Sequence, residues 1–172
     1  MPNWCENDLT VRGPKAEVQR FLDHVKTETT KFDFSTIIPY PEKFQKLDKI
    51  AADWKPESKT ERPSDGFNSG GYEWCIENWG TKWNNLDGEY RSVEIESWEV
   101  REKDIEREVI FHFDTAWSPP VPVIKFASKL FPELDFDLRF FEQGCAFNGI
   151  LQVKDGKVAM EKVGDYFGNR GG

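Results

Sequence analysis

The first part of the chain alternates between apolar and polar positions in a pattern that predicts a strand, a helix and a second strand. Residues 4–11 change face at every step, which is the period of a half-buried strand, and the predicted inner face comprises Cys5, Asn7, Leu9 and Val11. Gly13-Pro14 then opens a segment whose apolar residues recur three and four positions apart, as in an amphipathic helix. Alternation returns over residues 32–38 and stops at Pro39. This order predicts a crossover unit with parallel strands.

The next stretch breaks this rhythm and is interpreted as an insertion. Residues 44–54 have the apolar spacing of a short helix, and residues 55–71 are polar, with two prolines and three glycines, as expected of a long loop. Directly after the loop, residues 72–83 read Tyr-Glu-Trp-Cys-Ile-Glu-Asn-Trp-Gly-Thr-Lys-Trp and hold three of the seven tryptophans. That concentration of indole predicts either a plug for the core or the wall of a binding site.

The second half predicts a hairpin, a helix and a strand. Residues 93–98 and 109–117 alternate on either side of a charged run, as the two arms of an antiparallel hairpin do. Ser118 can cap the helix that follows, and the prolines after it suit a first helical turn. The helical spacing continues to Phe131, and residues 134–140 then alternate most cleanly of all, with one apolar and one polar face.

The chain closes with a second predicted hairpin. Its arms are residues 147–153 and 157–163, joined through Asp155-Gly156, which favours the tight primed turn. The tail from 164 to 172 is expected to be frayed.

This order of elements predicts an α+β fold, a ferredoxin-like βαβ-βαβ sandwich in which two main helices pack on one face of an antiparallel sheet. We expect one domain over residues 1–172, with an inserted helix and loop segment at about 40–92 and an added C-terminal hairpin at about 146–163.

Charge and cysteine content narrow the functional classes. The chain has 23 basic and 31 acidic residues, a net charge of −8, so non-specific binding to a phosphate backbone is disfavoured. Cys5, Cys75 and Cys145 are odd in number and no signal peptide precedes them, which predicts a cytoplasmic protein with free, buried thiols. No run is apolar enough to predict a membrane span.

Several polar and aromatic runs carry a resemblance to a known family. They are Met1-Pro2-Asn3-Trp4-Cys5-Glu6-Asn7, the run at 79–83, the run Phe-Asp-Thr-Ala-Trp-Ser-Pro-Pro at 113–120, and Glu142-Gln143-Gly144 with Phe147 and Gly149. In these runs the chain resembles the YubB-type ferredoxin-like domain family of phages and conjugative plasmids. The resemblance implies a ferredoxin-like fold and a mobile-element origin, and it brings no activity with it.

The same runs supply a candidate ligand-binding site, because they mix indole rings with hydrogen-bonding groups at predicted strand ends. In this hypothesis the indoles form walls, Lys82 binds an anionic or carbonyl group, and the remaining polar groups fix orientation. The seven candidate residues are Trp79, Thr81, Lys82, Trp83, Thr115, Trp117 and Glu142. The alternative left open is that the tryptophans are core, with the indole N–H groups and Lys82 satisfied by carboxylates such as Glu142.

The sequence offers little evidence for catalysis. The only histidines, His24 and His112, are not placed to pair with a nucleophile, and no cysteines or histidines stand at metal-ligand spacing, so we expect no catalytic residues, metal or cofactor. The leading hypothesis is therefore a non-catalytic binding module that engages a host protein or a small ligand. A small enzyme using Glu142 and Lys82, and an acidic decoy of nucleic acid, are the alternatives.

Overall fold

A computed structural model describes residues 3–28, 30–58, 60–84, 95–103 and 105–165. Six strands form one antiparallel sheet in the order β2-β3-β1-β4-β5-β6. The strands are β1 (Trp4–Pro14), β2 (Ile95–Lys103), β3 (Glu106–Ala116), β4 (Asp135–Glu142), β5 (Phe147–Lys154) and β6 (Lys157–Asp165). The helices are α1 (Lys15–Val25), α2 (Phe34–Ile37), α3 (Glu42–Asp53), α4 (Tyr72–Asn78) and α5 (Val121–Leu130).

The four strands β4-β1-β3-β2, with α1 after β1 and α5 after β3, have the ferredoxin-like arrangement, so the predicted fold class is confirmed. The C-terminal hairpin extends the sheet beyond β4. Its turn is built as predicted, because Asp155 and Gly156 both have positive φ, at 50° and 68°. The predicted beginning of β2 at Val93 and the tail beyond Asp165 lie outside the described residues.

The predicted second strand at residues 32–38 is wrong. Residues Phe34–Ile37 form one helical turn, and the strand that completes the first βαβ unit is β2, far downstream. The carboxylate of Asp33 caps this turn by accepting the Ser35 N–H at 2.7 Å, and Asn84 accepts the Phe34 N–H at 3.3 Å. Helical spacing then places Phe34 and Ile37 together in the core.

The insertion adds helices to the layer that covers the sheet. The predicted helix at 44–54 is present as α3, and the polar loop after it contains short helical turns at Pro56–Ser58 and Phe67–Gly71. The end of that loop is packed and not free-standing, because Phe67 is buried and Asp48 of α3 accepts its backbone N–H at 3.2 Å. The tryptophan-rich stretch begins as α4.

The two faces of the sheet differ in chemistry. The helix-facing side holds the core, an aromatic cluster in which Phe21 lies 6.3 Å from Phe111 and 5.5 Å from Phe136 between ring centroids. The predicted inner face of β1 is buried throughout. The opposite face carries acidic and basic side chains interleaved, as in the pairs Asp135–Lys154 and Glu108–Arg101.

Candidate functional site

Two of the predicted runs meet at the end of β3. The Thr81 hydroxyl donates to the carbonyl of Ala116 at 3.1 Å, and the Ser118 hydroxyl donates to the carbonyl of Gly80 at 2.6 Å. Ser118 therefore ties the two runs together and does not cap α5, whose first turn has no side-chain cap. Gly80 has φ of 84°, and a Cβ there would lie 2.4 Å from the Cδ of Pro122, so this close approach requires glycine.

Trp79 belongs to the core. Its side chain is fully buried, its indole N–H donates to the carbonyl of Ile38 at 2.9 Å, and its ring lies 5.1 Å from Trp74 and 5.8 Å from Tyr40. The indole is satisfied by backbone and not by a carboxylate. For Trp79 the core alternative describes the structure, while the other two candidate tryptophans lie at the surface.

Lys82, Trp83 and Trp117 form an aromatic and cationic surface with Tyr72, which we call the aromatic patch. The Lys82 ammonium lies 4.4 Å from the centroid of the Trp83 ring and 4.6 Å from that of Trp117, so it is held between two indoles. Tyr72 meets Trp117 edge to face at 6.5 Å. The Trp117 side chain is 42% exposed, and the other three members are half-buried.

The backbone at Trp117 is in the left-handed region, with φ of 71°. For a bulky residue this conformation is a true outlier and costs about 1–2 kcal/mol. The surroundings hold it in place: the Trp117 N–H donates to the carbonyl of Asn3 at 2.9 Å, and the Ser118 carbonyl accepts from the Thr115 hydroxyl at 2.7 Å. The strain turns the chain out of β3 and leaves the indole at the surface.

Thr81 and Thr115 are buried and support the patch from beneath. Thr115 also accepts from the Asn7 amide at 2.9 Å, and that amide donates to the carbonyls of Cys5 and Phe113 at 2.7 and 3.2 Å. This network ties the start of β1 to the end of β3. Neither threonine is accessible to a ligand, so their predicted contact role is replaced by a structural one.

Glu142 is also buried, and it holds a turn. Its carboxylate accepts the backbone N–H of Gly144 at 3.0 Å and that of Cys145, both in the turn between β4 and β5. In the sheet register Glu142 is opposite Cys5, which is in turn opposite Thr115. Two strand spacings, roughly 10 Å, therefore separate Glu142 from the β3 end. The structure does not bring Glu142 to Lys82.

The three thiols are free and fall into two classes. Cys5 and Cys75 are buried, as predicted, and Cys145 is exposed, contrary to prediction, because the turn that holds it lies at the surface. The pKa of the Cys5 thiol is raised to about 12, mainly by burial and then by the nearby negative charges of Glu142 and Asp114, against hydrogen bonds that lower it. Cys5 is thus a neutral core thiol at physiological pH.

The described residues meet the requirements of neither a metal centre nor a membrane-spanning helix. Among the described residues, no three His, Cys, Asp or Glu side chains are grouped to hold a metal ion, and no described helix is long and apolar enough to cross a membrane. His112 pairs with Asp8 at 2.5 Å on the open face of the sheet. Two surface hollows, one beside Pro132 and Val158 and one beside Leu22 and Lys26, include no member of the aromatic patch.

Sequence reasoning missed Tyr72 and Asn7. Tyr72 contacts both Trp117 and the buried Phe67, whose rings lie 6.5 and 5.7 Å away, so it connects the patch to the helical turn that precedes α4. Its place at the head of the tryptophan-rich run was the available signal. Asn7 was visible as a polar residue within an otherwise apolar strand face, which marks a buried amide that needs partners.

The family of the chain follows from a match over its second half. A family model described as the ferredoxin-like domain in Api92-like protein matches residues 78–168, just over half of the chain. The chain belongs to this family. The matched region of this Api92-like chain contains all seven candidate residues, whereas Tyr72 and β1 lie before it. Among curated proteins, none matches the sequence.

A solved structure supports the same fold. The crystal structure of the protein Api92 from Yersinia pseudotuberculosis aligns with a TM-score of 0.52 at 11% sequence identity, covering 98% of this chain and 99% of that one. At this identity the similarity shows the fold alone. The Api92-like chain therefore shares its architecture with that protein over nearly the full length of both.

Proposed function

We propose that this Api92-like protein is a non-catalytic binding module that engages a host protein through the aromatic patch. The observation that carries the proposal is the exposed Trp117 indole, held at the surface by a strained backbone and stacked on Lys82. Strain of this kind persists where the surroundings impose it, and it clusters at functional sites. Tryptophan and tyrosine are also the side chains most enriched at the energetic centres of protein interfaces.

The exposure of the patch favours a macromolecule over a small ligand. Small-molecule sites are concave and enclose most of the ligand surface, whereas Trp117 is 42% exposed and the other three patch residues are half-buried. Trp4, 47% exposed, precedes Cys5 on β1 and is paired in register with Ala116, so a further indole lies next to the end of β3. This arrangement suits an open contact surface.

The proposal includes a mobile-element origin and a cytoplasmic setting. The origin rests on the resemblance of the runs at 1–7, 79–83, 113–120 and 142–149 to the phage and plasmid domains. The setting rests on the three free thiols, which a reducing compartment would keep unpaired.

Neither alternative function has comparable support. The enzyme hypothesis needs Glu142 and Lys82 to act on one substrate, but Glu142 is fully buried and engaged with its own turn. The decoy hypothesis needs carboxylates spaced like phosphates, but acidic residues on the open face are interleaved with basic partners, as in Asp135–Lys154.

A capture experiment with matched variants tests the proposal. Wild-type protein, a Trp83→Ala/Trp117→Ala variant and a Phe126→Ala/Val163→Ala variant are used as baits in bacterial host lysate. The last variant removes apolar side chains that are 41% and 65% exposed outside the patch, and is the control. We expect one host protein to be retained by the wild type and the control and lost by the patch variant. Binding by the purified host protein is then measured directly.

Circular dichroism and thermal unfolding verify that each bait is folded before capture. If the folded patch variant retains the same proteins as the wild type, the patch is not a binding surface and the proposal is overturned.

A further inference from the structure

Among the described residues, none supplies a carboxylate partner for Lys82. No described residue forms an ion pair or a hydrogen bond with its ammonium group, which lies against the rings of Trp83 and Trp117. Lys125, which is also half-buried, pairs with Glu161 at 2.6 Å. Although the chain has eight more acidic than basic residues, the half-buried Lys82 ammonium has no carboxylate partner in the described part of the chain.

The two indoles orient the ammonium group but do not accept conventional hydrogen bonds from its N–H donors. Ring faces attract the charge, but an ammonium group has three N–H donors, and an oxyanion binds them more strongly than a ring does. Because the rings already restrict the Lys82 side chain, a ligand oxyanion has less of the side chain's freedom to remove on binding. The patch therefore presents a prepared cation between two apolar surfaces.

We infer, on the basis of the proposed binding function, that the partner presents a carboxylate beside an aromatic side chain, in an acidic and aromatic peptide segment. The carboxylate binds Lys82, and the aromatic side chain packs on Trp117 and Trp83. A polyanion such as single-stranded nucleic acid fits less well, because it would bring a row of phosphates, and not one carboxylate, against a chain with a net charge of −8 and against the exposed Glu73 and Glu77 of α4.

Two capped peptides that differ in one group test this inference. The probes are acetyl-Gly-Phe-Glu-Phe-Gly-amide and the same peptide with glutamine in place of glutamate. Binding is followed through the indole N–H signals of the 15N-labelled protein, assigned with Trp83→Phe and Trp117→Phe variants. We expect the glutamate peptide to shift both signals and to bind about tenfold more tightly than the glutamine peptide, a difference that added salt reduces.

Variants of the cation separate charge from packing. Lys82→Met keeps an unbranched apolar stem between the rings, and should weaken the glutamate peptide about tenfold while leaving the glutamine peptide unchanged. Lys82→Arg should retain most of the preference, and Lys125→Met is the control for loss of another half-buried lysine.

Three results would overturn the inference: equal affinity for the two peptides, no shift of either indole signal at peptide concentrations of several millimolar, or tighter Lys82-dependent binding of a deca-thymidylate strand. The proposed function fails separately, when the patch variant captures the same host proteins as the wild type. If the patch captures a host protein but binds the glutamate and glutamine peptides equally, the proposed binding function stands and the inferred carboxylate is refuted.

Discussion

Replacing Trp79 should reveal how strongly the insertion is fixed to the ferredoxin-like core. The side chain is fully buried between Phe34, Tyr40 and Trp74, and its N–H satisfies the Ile38 carbonyl. Truncating a buried tryptophan to alanine costs about 3–5 kcal/mol, and a carbonyl left without its donor adds about 1–3 kcal/mol. We expect Trp79→Ala to lower the free energy of unfolding by about 4–8 kcal/mol, or the melting temperature by roughly 10–30 °C.

The assay is urea unfolding monitored by far-UV circular dichroism, and variants are compared only where the free energy of unfolding depends equally steeply on urea concentration. Trp79→Phe keeps most of the ring but loses the hydrogen bond, so it should cost about 2–3 kcal/mol. Trp117→Ala is the matched control, and should change stability by less than about 1 kcal/mol because its indole is 42% exposed and the main lost contact is that with Lys82. If the Trp79 and Trp117 alanine variants were equally destabilised, the division into core and patch would be wrong.

Three further predictions concern the supporting structure. In urea unfolding, Gly80→Ala should lower the free energy of unfolding by about 2–4 kcal/mol, because φ is positive at Gly80 and an added Cβ would be crowded. Gly164→Ala should lower it by less than about 1 kcal/mol, because an added Cβ there meets no atom within 4 Å. Equal losses for the two variants would refute this reasoning. Glu142→Gln should cost about 2 kcal/mol in the same assay without weakening binding at the patch, and an unchanged stability would show that the carboxylate does not hold its turn. The Cys5 thiol has a pKa of about 12 in the folded protein and ionises near pH 9 in the unfolded chain, so the free energy of unfolding should fall as pH rises from about 9 to 12. Cys5→Ala should remove that loss, whereas Cys145→Ala should not. Identical alkaline stability profiles for the two variants would contradict this prediction.

Much of the sheet could be predicted from the sequence, because most of its strands have one apolar and one polar face. In β4 the buried residues alternate with wet ones over the full strand, and the turn between β5 and β6 has a dipeptide suited to its backbone. Segment 32–38 shows where this method fails. Apolar residues at every second position over seven residues fit a strand, but they also fit a short extended segment followed by one helical turn. The Asp33 cap favours the helical turn.

The candidate site was predicted as a set of residues but not as an arrangement. The sequence places an indole at Trp79 and another at Trp117, and nothing local distinguishes the buried one from the exposed one. The difference comes from contacts between distant segments, such as the hydrogen bond from Trp79 to Ile38. Buried polar residues such as Thr81 and Glu142 likewise find backbone partners that only the folded chain brings to them.

The place of β1 in the sheet has a consequence for synthesis. Among the six described strands β1 is synthesised first, yet its neighbours are β3 and β4, and the Asn7 amide must reach a carbonyl at Phe113, 106 residues later. At about 5–20 residues per second, the ribosome needs roughly 6–26 seconds after the end of β1 to complete β4. Until β4 is made, the edge of β1 that β4 covers in the finished sheet stays unpaired, so a strand from the middle of the sheet remains open on that side while more than a hundred further residues are synthesised.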